Sequence, residues 1–182
     1  MLGVGDRLPD FTVNAAKPGA NEPTDDAVAA LTQASFPGKW LLIYFYPKDF
    51  TFVCPTEIVE YAKLVPEFED RDCVVLGGST DNEFVKLAWR RAHPDLTGLN
   101  HWSFGDPAGA LIDALGIRDR EAGVALRATY LVDPNGVIQH VEVNALNVGR
   151  NPKETLRVLD ALQTDELCAC NRPVGGDTLK AA

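Results

Sequence analysis

"WLLIYFYPKDFTFVCPTEI", Trp40 to Ile58, sets a cysteine between an apolar run and a proline. The run "GKWLLIYFYP", Gly38 to Pro47, is short and almost continuously apolar. That is the pattern of a strand buried on both faces of a sheet. Beyond it, Pro55 suits a first helical position, where a missing N–H costs nothing. In "CPTEIVEYAKLVPEFEDR", residues Ile58, Tyr61, Leu64, Val65 and Phe68 fall on one helical face. Pro66 breaks that pattern and predicts a kink or a restart. Cys54 therefore stands where a buried strand ends and a helix begins.

The rest of the chain extends this unit. "CVVLGGST", Cys73 to Thr80, reads as a second buried strand, and "DNEFVKLAWRRAH" as a helix with a side-chain start signal. "AGALIDALG" reads as a short helix ending at Gly116. "ALRATYLVDPNGVIQHVEV" reads as two strands joined by "DPNG", a hairpin signal. "NPKETLRVLDALQ" predicts a helix capped by Asn151, with Leu156, Leu159 and Leu162 inward. Residues 1–38 are mixed, and "NAAKPGANEPTDD" reads as a loop. The tail "TDELCACNRPVGGDTLKAA" has no strong period and is expected to be loosely held. Strands alternating with helices imply an α/β domain, a central mixed sheet covered on both faces, in the thioredoxin-like order. The expected division is a domain over 1–163 and a C-terminal tail over 164–182.

Composition narrows the function. The chain has 182 residues, enough for one domain. Its 17 Lys and Arg against 26 Asp and Glu give a net charge of −9, which argues against nucleic acid as a partner. No apolar run approaches a membrane span, and "MLGVGDRLPDF" lacks the basic and apolar regions of a secretory signal. The expected location is the cytoplasm, where cysteines stay reduced and are more often catalytic than structural.

A helix start presents unpaired N–H groups and a partial positive charge, and both favour a thiolate. An isolated cysteine is commonly core filler. The flanks of Cys54 argue for the reactive reading: Thr51 can offer a hydroxyl to an incoming oxygen, and Pro47 can shield the sulfur from water. Cys73 lies within an apolar strand and reads as structural. His93, His101 and His140 are isolated and sit in no motif. Trp89 reads as core, at helical spacing with Phe84 and Val85.

"PKDFTFVCPTE" resembles the active-site segment of the typical two-cysteine peroxiredoxins, Pro-x-x-x-Thr-x-x-Cys, with Pro47, Thr51 and Cys54 in the matching places. "RATYLVDPNGVIQ" is similar to the family's strand-turn-strand and puts its active-site arginine at Arg127. "NVGRN" is similar to the segment of a second arginine, here Arg150. "DELCACN" resembles the tail that supplies the resolving cysteine. These matches run over nearly the whole chain, and the likeness is greatest to the alkyl hydroperoxide reductase C subgroup with a Cys-x-Cys tail.

The resemblance implies a thiol-specific peroxidase that reduces hydrogen peroxide and organic hydroperoxides without metal, flavin or other cofactor. In that reading Cys54 attacks the peroxide and becomes a sulfenic acid. Arg127 favours its thiolate and holds the peroxide, Thr51 bridges substrate and sulfur, and Pro47 excludes water. Glu57 either orients Arg127 or Arg150 or simply complements the helix start. Cys168 is implied as the resolving thiol and Cys170 as resolving or auxiliary, each reaching Cys54 of a partner subunit. Also implied are a homodimer, a ring of five dimers, and a separate disulfide-reducing donor. That donor is an adaptor of the alkylhydroperoxidase D type, thioredoxin or a flavin disulfide reductase.

Two departures stand out. "SFGDPAGALID" and "TLKAA" occupy the places of the Gly-Gly-Leu-Gly and Tyr-Phe motifs of easily inactivated relatives, and Arg172 stands where the family's tail often has an aromatic. Two rival functions compete with this reading. A thiol-disulfide oxidoreductase would need Cys-x-x-Cys at the junction, where this chain has "CPTE". A non-enzymatic holdase or assembly role is compatible with the same fold. The Cys-x-Cys pair lacks the spacing of a structural zinc site.

Overall fold

The computed structural model describes residues 1–180. Its core is set by β3 (Trp40–Phe45), whose side chains alternate between two apolar layers. Leu41, Ile43 and Phe45 point into one layer, with Leu76, Phe104, Ile112 and Tyr130. Leu42 and Tyr44 point into the other, with Ile58, Tyr61, Phe68, Leu156 and Leu159. A strand buried on both faces has no polar positions, which is why the sequence reads as a continuous apolar run. Each fully buried Leu, Ile or Phe contributes about 1.5–3 kcal/mol, so this strand anchors both layers.

Among the described residues the sheet has seven strands. They are β1 (Thr12–Ala16), β2 (Val28–Thr32), β3, β4 (Cys73–Ser79), β5 (Trp102–Gly105), β6 (Arg127–Val132) and β7 (Ile138–Asn144). Their order in space is β2-β1-β5-β4-β3-β6-β7. β3 pairs parallel with β4, and β4 with β5; β3–β6, β6–β7, β1–β5 and β1–β2 pair antiparallel. This is the expected mixed sheet of a thioredoxin-like α/β fold. The glycines in "VLGGST" serve it: a Cβ on Gly77 would collide with the Tyr44 ring, and one on Gly78 with Phe104.

Helices α1 (Cys54–Glu69) and α4 (Pro152–Leu162) cover the layer under Tyr44 and Leu42, and α3 (Ala110–Leu115) covers the other. Helix α2 (Glu83–Ala92) starts at Asn82, whose side chain accepts from the Phe84 and Val85 amides. Asn151 caps α4 in the same way through Lys153, and Gly116 ends α3 in the left-handed conformation.

Three expectations are corrected. Pro66 neither kinks nor restarts α1, which runs through it. Proline leaves the Ala62 carbonyl without its helical donor, and the Asn100 side-chain amide supplies one at 3.1 Å. "NAAKPGANEPTDD" is not wholly loop, because Asn14–Ala16 lie in β1, paired on both sides. Finally, the tail is held rather than loose. Asp160 of α4 accepts from Arg172 Nη1 at 2.7 Å and from the Gly175 amide at 2.9 Å, and Leu167 pairs with Leu179. Among the described residues no helix is long and apolar enough to cross a membrane.

Candidate active site

The polypeptide leaves β3 at Tyr46 and Pro47, both buried, and crosses to α1 in seven residues, 47–53. Phe50 adopts a left-handed φ of 54°, costly for an aromatic residue, so its surroundings must hold the turn. Thr51 Oγ1 donates to the Lys48 carbonyl at 3.0 Å. Cys54 is the first residue of α1 and is 1% exposed. Its preceding residue Val53 gives the helix no side-chain cap. Pro55 has no N–H, and the Thr56 and Glu57 amides donate to the Val53 carbonyl at 3.1 and 3.4 Å, so the Cys54 amide is the helix-start donor left beside the sulfur.

Arg127 opens β6, and its Nη1 lies 3.5 Å from Cys54 Sγ. A buried guanidinium needs partners, and Arg127 has them. Nη1 donates to Glu57 Oε2 at 2.6 Å and Nε to the Leu146 carbonyl at 2.7 Å. Glu57 is one turn into α1 and also faces Arg150, which donates to it from Nε at 2.8 Å, from Nη2 at 3.0 Å and from its backbone amide at 2.9 Å. Burial alone would raise the Glu57 carboxyl. The hydrogen bonds and charge of Arg150, with the charge of Arg127, outweigh it and hold Glu57 below the usual carboxylate range.

Arg150 is itself fixed by the Ala128 carbonyl at 2.6 Å and by the Tyr44 and Tyr61 rings, 5.5 and 5.9 Å below its guanidinium carbon. Tyr61 shares a hydrogen bond with Thr129 at 3.0 Å. Cys54, Glu57, Arg127 and Arg150 are thus gathered from three separate stretches, with Pro47 and Thr51 in the loop that leads into α1. Of the two readings left open for Glu57, its contacts make it the bridge between both arginines.

Sequence reasoning missed Tyr44, Tyr61 and Thr129 as the floor of this site. A threonine alone among apolar neighbours in "RATYLV" was the available signal. Trp89 is buried as expected, but it also stacks on Phe50 of the site loop, ring centroids 5.7 Å apart. His101 is buried, bonded through Nε2 to the Tyr44 hydroxyl at 2.7 Å, and burial with the Arg90 charge pushes it down to about 3.

The other cysteines lie apart from the site. Burial pushes the Cys73 thiol well up, as suits a structural residue. Cys168 is half-buried beside Thr164 and the Ala161 carbonyl, and Cys170 is exposed. Arg71, just past the far end of α1, donates to Asp160, which anchors this tail. Cys168 therefore sits near one end of α1 and Cys54 at the other, and a 16-residue helix is about 24 Å long. No group of three or more His, Cys, Asp or Glu among the described residues is placed to hold a metal ion.

The comparisons with known proteins agree with this geometry. The model of the AhpC/TSA family matches residues 4–141. Alkyl hydroperoxide reductase C of Mycolicibacterium smegmatis is 49% identical over all of this chain and 95% of its own length. Peroxiredoxin tpx1 of Schizosaccharomyces pombe is 38% identical over 98% of this chain and 93% of its own. The solved structure of Mycobacterium tuberculosis AhpC superposes with a TM-score of 0.85 at 47% identity, over 93% of this chain and 97% of that one. Reduced 2-Cys peroxiredoxin of Plasmodium vivax gives 0.88 at 32% identity, over 99% and 94%. With the fold and the full length of the sequence in agreement, the chain belongs to the AhpC/TSA family of peroxiredoxins.

Proposed function

We propose that this peroxiredoxin reduces hydrogen peroxide and organic hydroperoxides with Cys54 as the nucleophile. The observation that carries the reading is the placement of Cys54 Sγ at an uncapped helix start, 3.5 Å from a guanidinium that Glu57 holds in place. The thiolate attacks one peroxide oxygen, the O–O bond breaks, and the leaving oxygen departs as water or an alcohol after taking a proton. Arg127 and the Cys54 amide face the charge that develops on the oxygens, usually the largest catalytic contribution. Thr51 bridges substrate and sulfur, and Pro47 keeps water out. Arg150 acts through Glu57.

The Cys54 sulfenic acid then condenses with a tail thiol, releasing water and forming a disulfide. The separation of Cys168 from Cys54 along α1 favours a tail supplied by a second subunit, because a disulfide needs Cα atoms within about 7 Å. Residues 1–163 act as the catalytic domain and 164–182 as the tail. A homodimer, assembled as a ring of five dimers, fits this exchange. The disulfide is reduced by a separate dithiol donor, with an alkylhydroperoxidase D-type adaptor favoured over thioredoxin or a flavin disulfide reductase. Such recycling places the protein in a reducing cytoplasm. Peroxide turnover with each donor supplied in turn tests the reading. Failure of all three donors, with no peroxide consumed in the first turnover, overturns it.

Replacing Arg127 by methionine is expected to slow alkylation of Cys54 at neutral pH and to lower the peroxide rate constant by roughly 10²- to 10³-fold, the usual loss for one charge-stabilising donor. An unchanged pH profile of alkylation would assign Arg127 to structure alone. In the tail, Cys168 is proposed as the first acceptor, with Leu167 beside it to pack on the partner. Cys168→Ser then lowers turnover more than Cys170→Ser, and trapped protein shows Cys54–Cys168 links between chains. A dominant Cys54–Cys170 adduct reverses the assignment.

A further inference from the structure

A second buried ion pair lies on the other side of the site loop. Lys86, in the first turns of α2, is 2% exposed, and its Nζ donates to Asp49 Oδ1 at 2.7 Å. Asp49 belongs to the loop between Pro47 and Cys54. Its Oδ1 also accepts from Ser79 Oγ at 3.0 Å, and its amide donates to Asp81 Oδ2 at 2.8 Å. Lys86 Nζ further reaches Ser79 Oγ and lies 4.9 Å from the centre of the Tyr46 ring. Both side chains of the pair are 1% exposed. The second carboxylate oxygen of Asp49 is buried with no protein partner.

A buried pair of this kind is poor value as a stabiliser, because desolvating two charges offsets most of their attraction. What it does supply here is location. It ties the middle of the loop to the end of β4 and to α2, one residue before the left-handed Phe50 and two before Thr51. Arg127, Glu57 and Arg150 fix Cys54 from the sheet side. No hydrogen bond from that cluster reaches residues 48–50, so this part of the loop is held by the Asp49 anchor and by the Phe50–Trp89 stack, both on α2.

We infer that Lys86 is a positioning residue for peroxide reduction: through Asp49 it holds the loop that presents Pro47 and Thr51 to the substrate at Cys54. The inference rests on Cys54 being the peroxide-reacting thiol. With the anchor released, Thr51 and Pro47 lose their register to the sulfur, and a misplacement of about 1 Å costs on the order of 10²-fold in rate. The Arg127 contact with Cys54 stays as it is. The Lys86 charge also bears on the sulfur, so the double variant, which removes both charges of the anchor together, is the one whose alkylation is compared. The loss therefore falls on peroxide reactivity and not on general thiol reactivity.

The test compares wild type, Lys86→Met, Asp49→Leu and the double variant Asp49→Leu/Lys86→Met. For each, the single-turnover rate with hydrogen peroxide, the rate of Cys54 alkylation by iodoacetamide and the melting temperature are measured. Lys86→Met leaves a buried carboxylate unpaired and melts lower, and the double variant, with both charges removed, recovers stability. The expected result is a roughly 10- to 100-fold lower peroxide rate in the single and double variants alike, with alkylation of the double variant within about twofold of wild type. A double variant that regains both stability and peroxide rate overturns the inference and makes the pair purely structural. So does a proportional fall in alkylation of the double variant, which would tie the loss to the thiol itself and not to the loop. A wild type that consumes no peroxide fails the function reading itself, a result distinct from either.

Discussion

Replacing Cys54 by serine is expected to abolish peroxide consumption and leave the fold in place. A serine hydroxyl is not ionised near neutral pH, and the reaction requires the anion as attacker. Arg127 and the helix start cannot compensate, since they stabilise a charge that serine does not carry. The structural cost is small. Serine is slightly smaller than cysteine, its oxygen can accept from Arg127, and the Glu57–Arg127–Arg150 cluster does not depend on the sulfur. A stability change of about 1 kcal/mol or less is expected, within the ordinary range of single substitutions. A peroxide assay and a thermal melt on the same sample check both parts.

Glu57→Gln is expected to have the largest effect on stability. Glu57 is the one carboxylate facing two buried guanidinium groups, with the Arg150 side chain 0% and the Arg127 side chain 4% exposed. Removing its charge leaves two uncompensated cations, a change that costs about 3–5 kcal/mol in comparable buried pairs. Arg127 also loses the contact that aims it at Cys54, so the peroxide rate falls by roughly 10²-fold.

The same pair makes stability depend on pH. The folded state holds the Glu57 carboxyl below its ordinary value of 4.5, so the unfolded chain binds the proton more readily. The Glu57 contribution is complete above that value and is lost as pH falls through the lowered folded one. In Glu57→Gln this acid-side loss is absent, so its stability is lower at neutral pH but declines less on acidification. Chemical unfolding of both proteins between pH 7 and pH 3 is the check. A parallel decline in the two proteins would mean that Glu57 is not held in its ionised form.

The parts of the fold that were legible share a physical cause. β3, β4 and the β6–β7 hairpin carry apolar runs and a turn whose pattern follows from local chemistry. β1, β2 and β5 escaped because "TVNAA", "VAALT" and "WSFG" are short, with small or polar residues. Their strand character comes from pairing with distant neighbours, which no local window contains. Pro66 misled for a related reason: the donor that rescues Ala62 comes from Asn100, in a different part of the chain.

At the site, Cys54, Thr51 and Pro47 could be read from their position at a strand-to-helix junction. Arg127 stood out as a cation within an apolar strand. Arg150 and Glu57 were legible as residues, and their partnership only as one of two alternatives, since the choice depends on where residues 57, 127 and 150, far apart in the chain, meet. The Asp49–Lys86 anchor was invisible, because "KDF" and "FVKLAW" give no sign that they meet. The tail misled as well: "DELCACNRPVGG" lacks any period, and its order comes from Asp160 drawing in Arg172 and Gly175.

The most direct measurement is peptide mapping by mass spectrometry after one equivalent of hydrogen peroxide. The protein to use is Cys168→Ser/Cys170→Ser, in which no tail thiol can capture the sulfenic acid. The account predicts one added oxygen atom on Cys54 and none on Cys73, with a dimedone adduct at the same residue. Peroxide consumed while Cys54 remains an unmodified thiol, or oxygen found on Cys73 instead, would contradict it.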